Sequence, residues 1–150
     1  MKDTPETTLI LKRTFKAPVE VVYQAWTQAE QFSRWMGPAV DMTCAVEAHD
    51  VHVGGRYAFE ITGADGQVHG ASGHFREVVE NERLVFTWTW NHVPDHETLV
   101  TVEFRGSGDA TTMTLTHERH SSAESTANHR MGWTGALDNL ERLLAEATAD

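Results

Sequence analysis

The sequence predicts an α+β fold in which one curved antiparallel sheet of six or seven strands wraps around a long C-terminal helix. Alternating strand-like runs fill most of the chain between Val40 and His117. Two short helical stretches precede this region, between Ala17 and Trp35. A helical stripe of apolar residues closes the chain, comprising Trp133, Leu137, Leu140 and Leu144. The length of 150 residues fits a single domain over 1–150.

The first strand and the two short helices follow from alternation and from proline. Apolar residues of one parity predict a strand from Thr8 to Phe15, after a polar segment 1–7 that we expect to be loose. Pro18 fits the first turn of a helix, where its missing N–H is not needed. The buried stripe of that helix would comprise Val22, Ala25 and Trp26. A second helix is predicted from Ala29 to Trp35, because Gly37-Pro38 cannot continue it.

The remaining strands are predicted from rows of apolar residues with a period of two. Gly63 to Gly66 predicts a hairpin turn, and Gly70 and Gly73 suggest a bend or bulge in a long strand from Val68 to Val79. Short connections favour antiparallel neighbours. The predicted inward rows are Val40, Met42, Cys44, Val46 and Ala48; Tyr57, Phe59 and Ile61; Leu84, Phe86, Trp88 and Trp90; Val100, Val102 and Phe104; and Met113, Leu115 and His117.

A long helix is predicted at the C-terminal end, from about Ala123 to Ala147. Ser121 and Glu124 form a capping-box pattern at its start. Its length of roughly 35 Å matches a strand of about ten residues, so it can lie along the inner face of the sheet. Gly132 and Gly135 weaken the helix, and their plausible use is a close approach to the sheet or a wider pocket mouth.

Composition excludes several classes of function. Lysine and arginine total 12 against 22 aspartates and glutamates, a formal net charge of −10. This balance disfavours nucleic-acid binding and docking on anionic membranes. Cys44 is the single cysteine, so an internal disulfide is impossible. The first residues lack the apolar stretch of a signal peptide, and no run is long enough to span a bilayer, so a cytoplasmic location is the default expectation.

Six short motifs occur in an order that is typical of one family. They are Ala17-Pro18 through Trp26-Thr27, Trp35-Met36-Gly37-Pro38, Gly54-Gly55-Arg56-Tyr57, Glu82 through Trp88, Thr114-Leu115-Thr116-His117 and Gly132 through Leu140. From about Leu9 to Leu144 the chain resembles the homologues of the C-terminal domain of the activator of heat-shock protein 90 ATPase. That family belongs to the START-like (SRPBCC) superfamily, together with polyketide cyclases. The resemblance implies a helix-grip fold, which is often hollow.

Three positions depart from the family pattern. Met36 stands where a second tryptophan is common, Val53 where a proline precedes the double glycine, and Glu80-Asn81 where two prolines are frequent. These positions touch the pocket edge and the turns. The resemblance therefore supports the fold and does not transfer the identity of a ligand.

Aromatic residues from several elements could converge between the sheet and the last helix. They either fill the core or wall a cavity that is mostly apolar with a few polar groups. His117 continues an inward parity, so it is either a satisfied structural histidine or a group that hydrogen-bonds a ligand or carries a proton. His129 is a second candidate of the same kind. The predicted ligand-binding residues are Trp35, Tyr57, Phe59, Trp88, Trp90, His117, His129 and Trp133.

Motifs for metal, cofactor or nucleophile chemistry are missing from the sequence. His92 and His96 are separated by Pro94, and the other close pair, His49 and His52, has no third ligand fixed by spacing. We therefore expect no metal and no cofactor. The sequence has no Gly-x-Ser-x-Gly elbow and no phosphate-binding loop. Cys44 lies on an apolar face and is interpreted as an inert core residue.

Three functions remain open from the sequence. The leading hypothesis is a non-enzymatic or weakly enzymatic binder of a small hydrophobic molecule held between the sheet and the last helix. The second is a cyclase-type enzyme that uses the same cavity, with His117 or another polar group as proton carrier. The third is a chaperone partner that acts through its outer surface.

Overall fold

The computed structural model describes residues 6–37 and 42–147. Seven strands and three helices occur within these ranges. In chain order they are β1 (Leu9–Phe15), α1 (Val19–Thr27), α2 (Ala29–Trp35), β2 (Thr43–His49), β3 (Arg56–Thr62), β4 (Val68–Val79), β5 (Arg83–Trp90), β6 (Thr98–Ser107), β7 (Ala110–Glu118) and α3 (Ala123–Ala147). Residues 1–5 of the predicted loose segment, and the predicted positions of Pro38 and Val40, lie outside the described residues.

The strands form one curved sheet in the order β1-β7-β6-β5-β4-β3-β2, and every neighbouring pair is antiparallel. This confirms the predicted α+β helix-grip architecture, with seven strands. The inward parities hold for β1, β3, β5, β6 and β7, whose apolar rows are buried except for the half-buried Leu11 and Trp90. The predicted bounds of α2 and α3 agree with the structure.

Two bulges change the predicted pattern of the sheet. A register shift between Val46 and Ala48 places Ala48 opposite Ala58, on the outer face, and turns His49 inward opposite Tyr57. The prediction that Ala48 faces inward is therefore wrong, because the extra residue inverts the alternation. In β4 the bulge lies between Phe75 and Glu77, not at the glycines.

Gly73 has a different role from the predicted bend. A Cβ atom at this position would lie 2.0 Å from the carbonyl oxygen of Thr87, which is on the neighbouring strand β5. The glycine therefore permits a close approach of two backbones within the sheet.

The helix starts also differ in detail from the prediction. Pro18 is the N-cap of α1, with φ −61° and ψ 153°, and so precedes the first helical residue. At the start of α3 the Ser122 hydroxyl accepts a hydrogen bond from the Ser125 backbone N–H at 3.1 Å. Ser122, one residue after the predicted Ser121, is thus the capping side chain.

The C-terminal helix is held along its apolar stripe. Leu137 and Leu140 are buried with Trp133 and Leu144, which confirms the stripe. Arg13 of β1 forms an ion pair with Asp138 at 2.7 Å, and the Asn139 amide donates to the Gly37 carbonyl at 2.7 Å. These contacts fix α3 against the sheet and against the end of α2. In the described ranges, none of the helices is long and apolar enough to cross a membrane.

Candidate ligand-binding site

A cavity of about 290 Å³ lies between the middle of α3 and strands β3, β4 and β5. Its wall is mostly apolar, with an amide and three imidazole groups. The lining residues are Met36, Gly37, Ile61, His69, Trp88, Trp90, His92, Asn128, His129, Gly132, Trp133 and Ala136. A wall of this composition suits a small apolar molecule that a few polar groups orient.

The local sequence explains why a space remains here. Trp88 and Trp90 are two residues apart on β5 and therefore face the same side of the sheet. Asn128, Gly132 and Ala136 are four residues apart and share one face of α3. A Cβ atom at Gly132 would have no heavy atom within 4 Å, so the missing side chain leaves open space.

The structure brings four of the eight predicted site residues to this cavity. Trp88, Trp90, His129 and Trp133 line it. Three other predicted residues belong to the packed core. The Trp35 indole donates to the Ala25 carbonyl at 2.8 Å, the Tyr57 hydroxyl donates to the Thr87 carbonyl, and Phe59 packs edge-on against Trp88 with ring centroids 5.5 Å apart. The predicted aromatic residues thus fill the core on one side and line an open cavity on the other.

His117, the remaining predicted residue, lies behind the cavity wall. It is fully buried, and its Nδ1 atom accepts the Trp133 indole N–H at 3.0 Å. Its Nε2 atom then carries the proton and donates to the Thr98 hydroxyl at 2.7 Å, which in turn donates to the Trp88 carbonyl at 2.9 Å. Burial, followed by the charges of His120 and His129, lowers the pKa of His117 well below its usual value. Both of its nitrogens are occupied.

His129 is held in a similar way at the cavity wall itself. Its Nε2 atom accepts the Trp90 indole N–H at 2.8 Å, so the proton resides on Nδ1, which donates to the Ser125 carbonyl at 2.7 Å. Burial lowers the pKa of His129, partly offset by the bond to Ser125. The imidazole is therefore neutral and fixes the orientation of Trp90.

His120 completes a cluster of three imidazole rings, and sequence reasoning missed it. Its ring centroid lies 4.2 Å from that of His117 and 4.4 Å from that of His129. It is 4% exposed, and neither of its ring nitrogens has a hydrogen-bond partner among the described residues. Burial, followed by the charges of His129 and His96, lowers its pKa to about 4. No sequence signal marks it, because it follows β7 and the left-handed residue Arg119 (φ 72°).

A second, more polar cavity of about 480 Å³ adjoins the apolar one. It lies under the connection between β5 and β6, beside the start of α3. The two cavities share Trp88, Trp90, His92, Asn128 and His129. The second cavity adds Val93, His96, Thr98, His120, Ser121, Ser122, Glu124 and Ser125.

The histidines do not form a metal centre in the part of the chain that the structure describes. No group of three or more histidine, cysteine or carboxylate side chains in those residues could hold a metal ion. In the three-ring cluster, the nitrogens of His117 and His129 are already bound to indole, hydroxyl and carbonyl partners. Burial raises the pKa of the Cys44 thiol to about 12, so this side chain is a thiol and a poor metal ligand at neutral pH.

A curved antiparallel sheet closed over a C-terminal helix defines a START-like, helix-grip protein. The family model described as "Activator of Hsp90 ATPase homolog 1-like protein" matches residues 16–145. The chain therefore belongs to this family, as its sequence motifs predicted. The search of curated proteins finds no match.

Solved structures of bacterial proteins share the whole fold. A protein from Chromobacterium violaceum is 28% identical, covers 92% of this chain and 97% of its own, and superimposes with a TM-score of 0.84. One from Arthrobacter aurescens is 25% identical, with coverages of 97% and 90% and a TM-score of 0.84. An AHSA1-like protein from Aeromonas hydrophila is 25% identical, with coverages of 95% and 94% and a TM-score of 0.79.

Proposed function

We propose that this protein binds a small, mainly apolar molecule in the cavity between α3 and strands β3 to β5. The observation that carries this proposal is the open space at Gly132, opposite the indole rings of Trp88 and Trp90. The cavity of about 290 Å³ is open to solvent, with the exposed residues His69, His92 and Asn128 on its wall. A small molecule can therefore enter it, and concave, mostly apolar spaces of this kind are typical ligand sites.

A cyclase-type reaction that uses His117 or His129 as its proton carrier is disfavoured by their hydrogen bonds. A proton carrier needs a nitrogen or oxygen that is free to exchange a proton with a substrate. The two ring nitrogens of His117 are both hydrogen-bonded, and so are those of His129. The chaperone-partner hypothesis rests on the family name, and the features of the cavity do not bear on it.

The test is to fill the cavity from the helix side. Gly132→Leu places an isobutyl group in the open space, so hexylbenzene should bind this variant at least about tenfold more weakly than the parent protein. The measurement is a titration followed by tryptophan fluorescence, since three indole rings line the site. The free energy of unfolding should stay the same or rise, by up to about 1 kcal/mol, because leucine is the better helix former.

The matched control is Met131→Leu, the neighbouring position on α3, where the side chain is 74% exposed. This variant should bind hexylbenzene like the parent protein. Equal binding by the parent and by Gly132→Leu would contradict the proposed location. The proposed function itself would be refuted by a parent protein that binds neither hexylbenzene nor related apolar molecules.

A further inference from the structure

The unpartnered His120 side chain lies in the polar cavity beside the proposed binding site. Buried polar groups in proteins are almost always hydrogen-bonded, and each exception needs an explanation. His120 is 4% exposed, yet neither of its nitrogens has a partner in the described ranges. The other two rings of the cluster are fully satisfied. The Trp88 indole N–H, on the wall of both cavities, is also buried without a partner, so these two groups are the unsatisfied polar side chains of the site in the described ranges.

The polar and apolar cavities adjoin each other along Trp90 and His129. A molecule whose apolar body occupies the space beside Gly132 can therefore extend a terminal group past Trp90. That group would enter a space lined by His120, Thr98, Ser125 and other polar side chains. The arrangement suits an amphipathic molecule with one polar end.

The charged side chains around the polar cavity determine which polar group a bound ligand can carry. Glu124 is the one side chain with a fixed charge among the described residues that line either cavity, and its charge is negative. Burial keeps His120 and His129 neutral near pH 7, so neither of these two imidazoles replaces a missing lysine or arginine. A carboxylate or phosphate beside His120 would lack a fixed positive charge as its counter-ion, which is unfavourable. A neutral imidazole offers one donor and one acceptor, and a hydroxyl group can donate to the acceptor or accept from the donor.

Building on the proposed function, we propose that the ligand carries a neutral hydroxyl or phenol group, which hydrogen-bonds to His120 while its apolar body lies beside Gly132. Both nitrogens of His120 are enclosed. A small reorientation of the ring must therefore accompany the bond. The hydroxyl would satisfy a nitrogen that is otherwise buried without a partner.

The test compares three probes that share one apolar body. They are hexylbenzene, para-hexylphenol and para-hexylbenzoate. The parent protein should bind the phenol about tenfold more tightly than the hydrocarbon, which is the value of one additional hydrogen bond. It should bind the benzoate more weakly than the phenol at neutral pH. In His120→Phe, which keeps a planar ring and removes both nitrogens, the preference for the phenol should disappear while hexylbenzene still binds.

Two further variants test whether the preference for the phenol depends on the ring nitrogens of His120. His120→Gln retains a donor and an acceptor and should restore part of the preference for the phenol. His52→Phe, at an exposed histidine paired with Asp50, should bind all three probes like the parent protein. Tightest binding of the benzoate, or a preference for the phenol that survives in His120→Phe, would overturn the inference and leave the apolar site intact. A parent protein that binds none of the three probes would contradict the proposed function and this inference together.

Discussion

Two indole N–H groups determine the protonation of the histidines beside the cavity. A ring nitrogen that accepts an N–H carries no proton, so Trp133 fixes the tautomer of His117 and Trp90 fixes that of His129. The second nitrogen of each ring then donates to oxygen. Each histidine is neutral and accepts a hydrogen bond from one cavity tryptophan. These bonds fix the orientations of the Trp90 and Trp133 rings beside the open space.

The series of hydrogen bonds from Trp133 through His117 and Thr98 to the Trp88 carbonyl can be tested at Thr98. Thr98→Val keeps the shape of the side chain and removes the hydroxyl that joins His117 to the Trp88 carbonyl. The buried N–H of His117 is left without a partner, so we expect a loss of about 1–3 kcal/mol in the free energy of unfolding. Urea denaturation measures it. The control is Thr116→Val on the outer face of β7, which should change stability by less than about 0.5 kcal/mol. Equal effects of the two changes would contradict this series of hydrogen bonds.

The site was partly predictable from the sequence at this scale. Strand parity identified Trp88 and Trp90, and helical spacing identified Trp133, because both periodicities follow from backbone geometry alone. His120 could not be found in this way. It lies beyond the end of β7, and its burial depends on the left-handed conformation of Arg119 and on the packing of α3. His49 was missed as an inward residue because one bulge inverts the alternation of β2.

At the scale of the element, α3 has two functions in one helix. Its C-terminal half packs through Leu137, Leu140 and Leu144. Its N-terminal half presents Asn128 and Gly132 to the cavity and begins beside the polar cavity. Helix and strand boundaries were predictable from local signals, since proline, glycine and apolar spacing act over a few residues. The positions of the bulges were not, because they depend on pairing with a neighbouring strand.

The capping residue of α3 can be tested with adjacent serines. Ser122→Ala removes the oxygen that accepts the Ser125 N–H, so it should lower the free energy of unfolding by about 1 kcal/mol. Ser121→Ala, one residue earlier, should change it by only a few tenths of a kcal/mol. Thermal or urea denaturation of the two variants distinguishes them. A larger loss in Ser121→Ala would restore the sequence-based assignment of the cap.

At the scale of the whole molecule, two buried and two half-buried histidines make stability depend on pH. Burial lowers the pKa values of His49, His117, His120 and His129 in the folded state. The unfolded chain therefore binds more protons than the folded one below the usual histidine pKa of about 6.5. The stabilising contribution is present above that pH and is lost as the pH falls toward the folded-state values.

We therefore expect the urea concentration at the unfolding midpoint to decrease as the pH is lowered from about 7.5 to about 4.5. The loss attributable to His120 is on the order of 2 kcal/mol, since its folded-state pKa is about 4. In His120→Phe the dependence on pH should be shallower, while His52→Phe should follow the parent protein. A midpoint that is constant over this range would show that the buried rings titrate normally.

Binding of an apolar ligand in the space beside Gly132 can be measured directly through the five tryptophans of the chain. Each indole N–H gives its own signal in a proton–nitrogen correlation spectrum, which can be followed during a titration with hexylbenzene. The signals of Trp88, Trp90 and Trp133, which line the cavity, should shift saturably with one common affinity. That of Trp35, bonded to the Ala25 carbonyl in the core, should stay in place. A spectrum without saturable shifts, or with shifts confined to Trp35, would contradict the account.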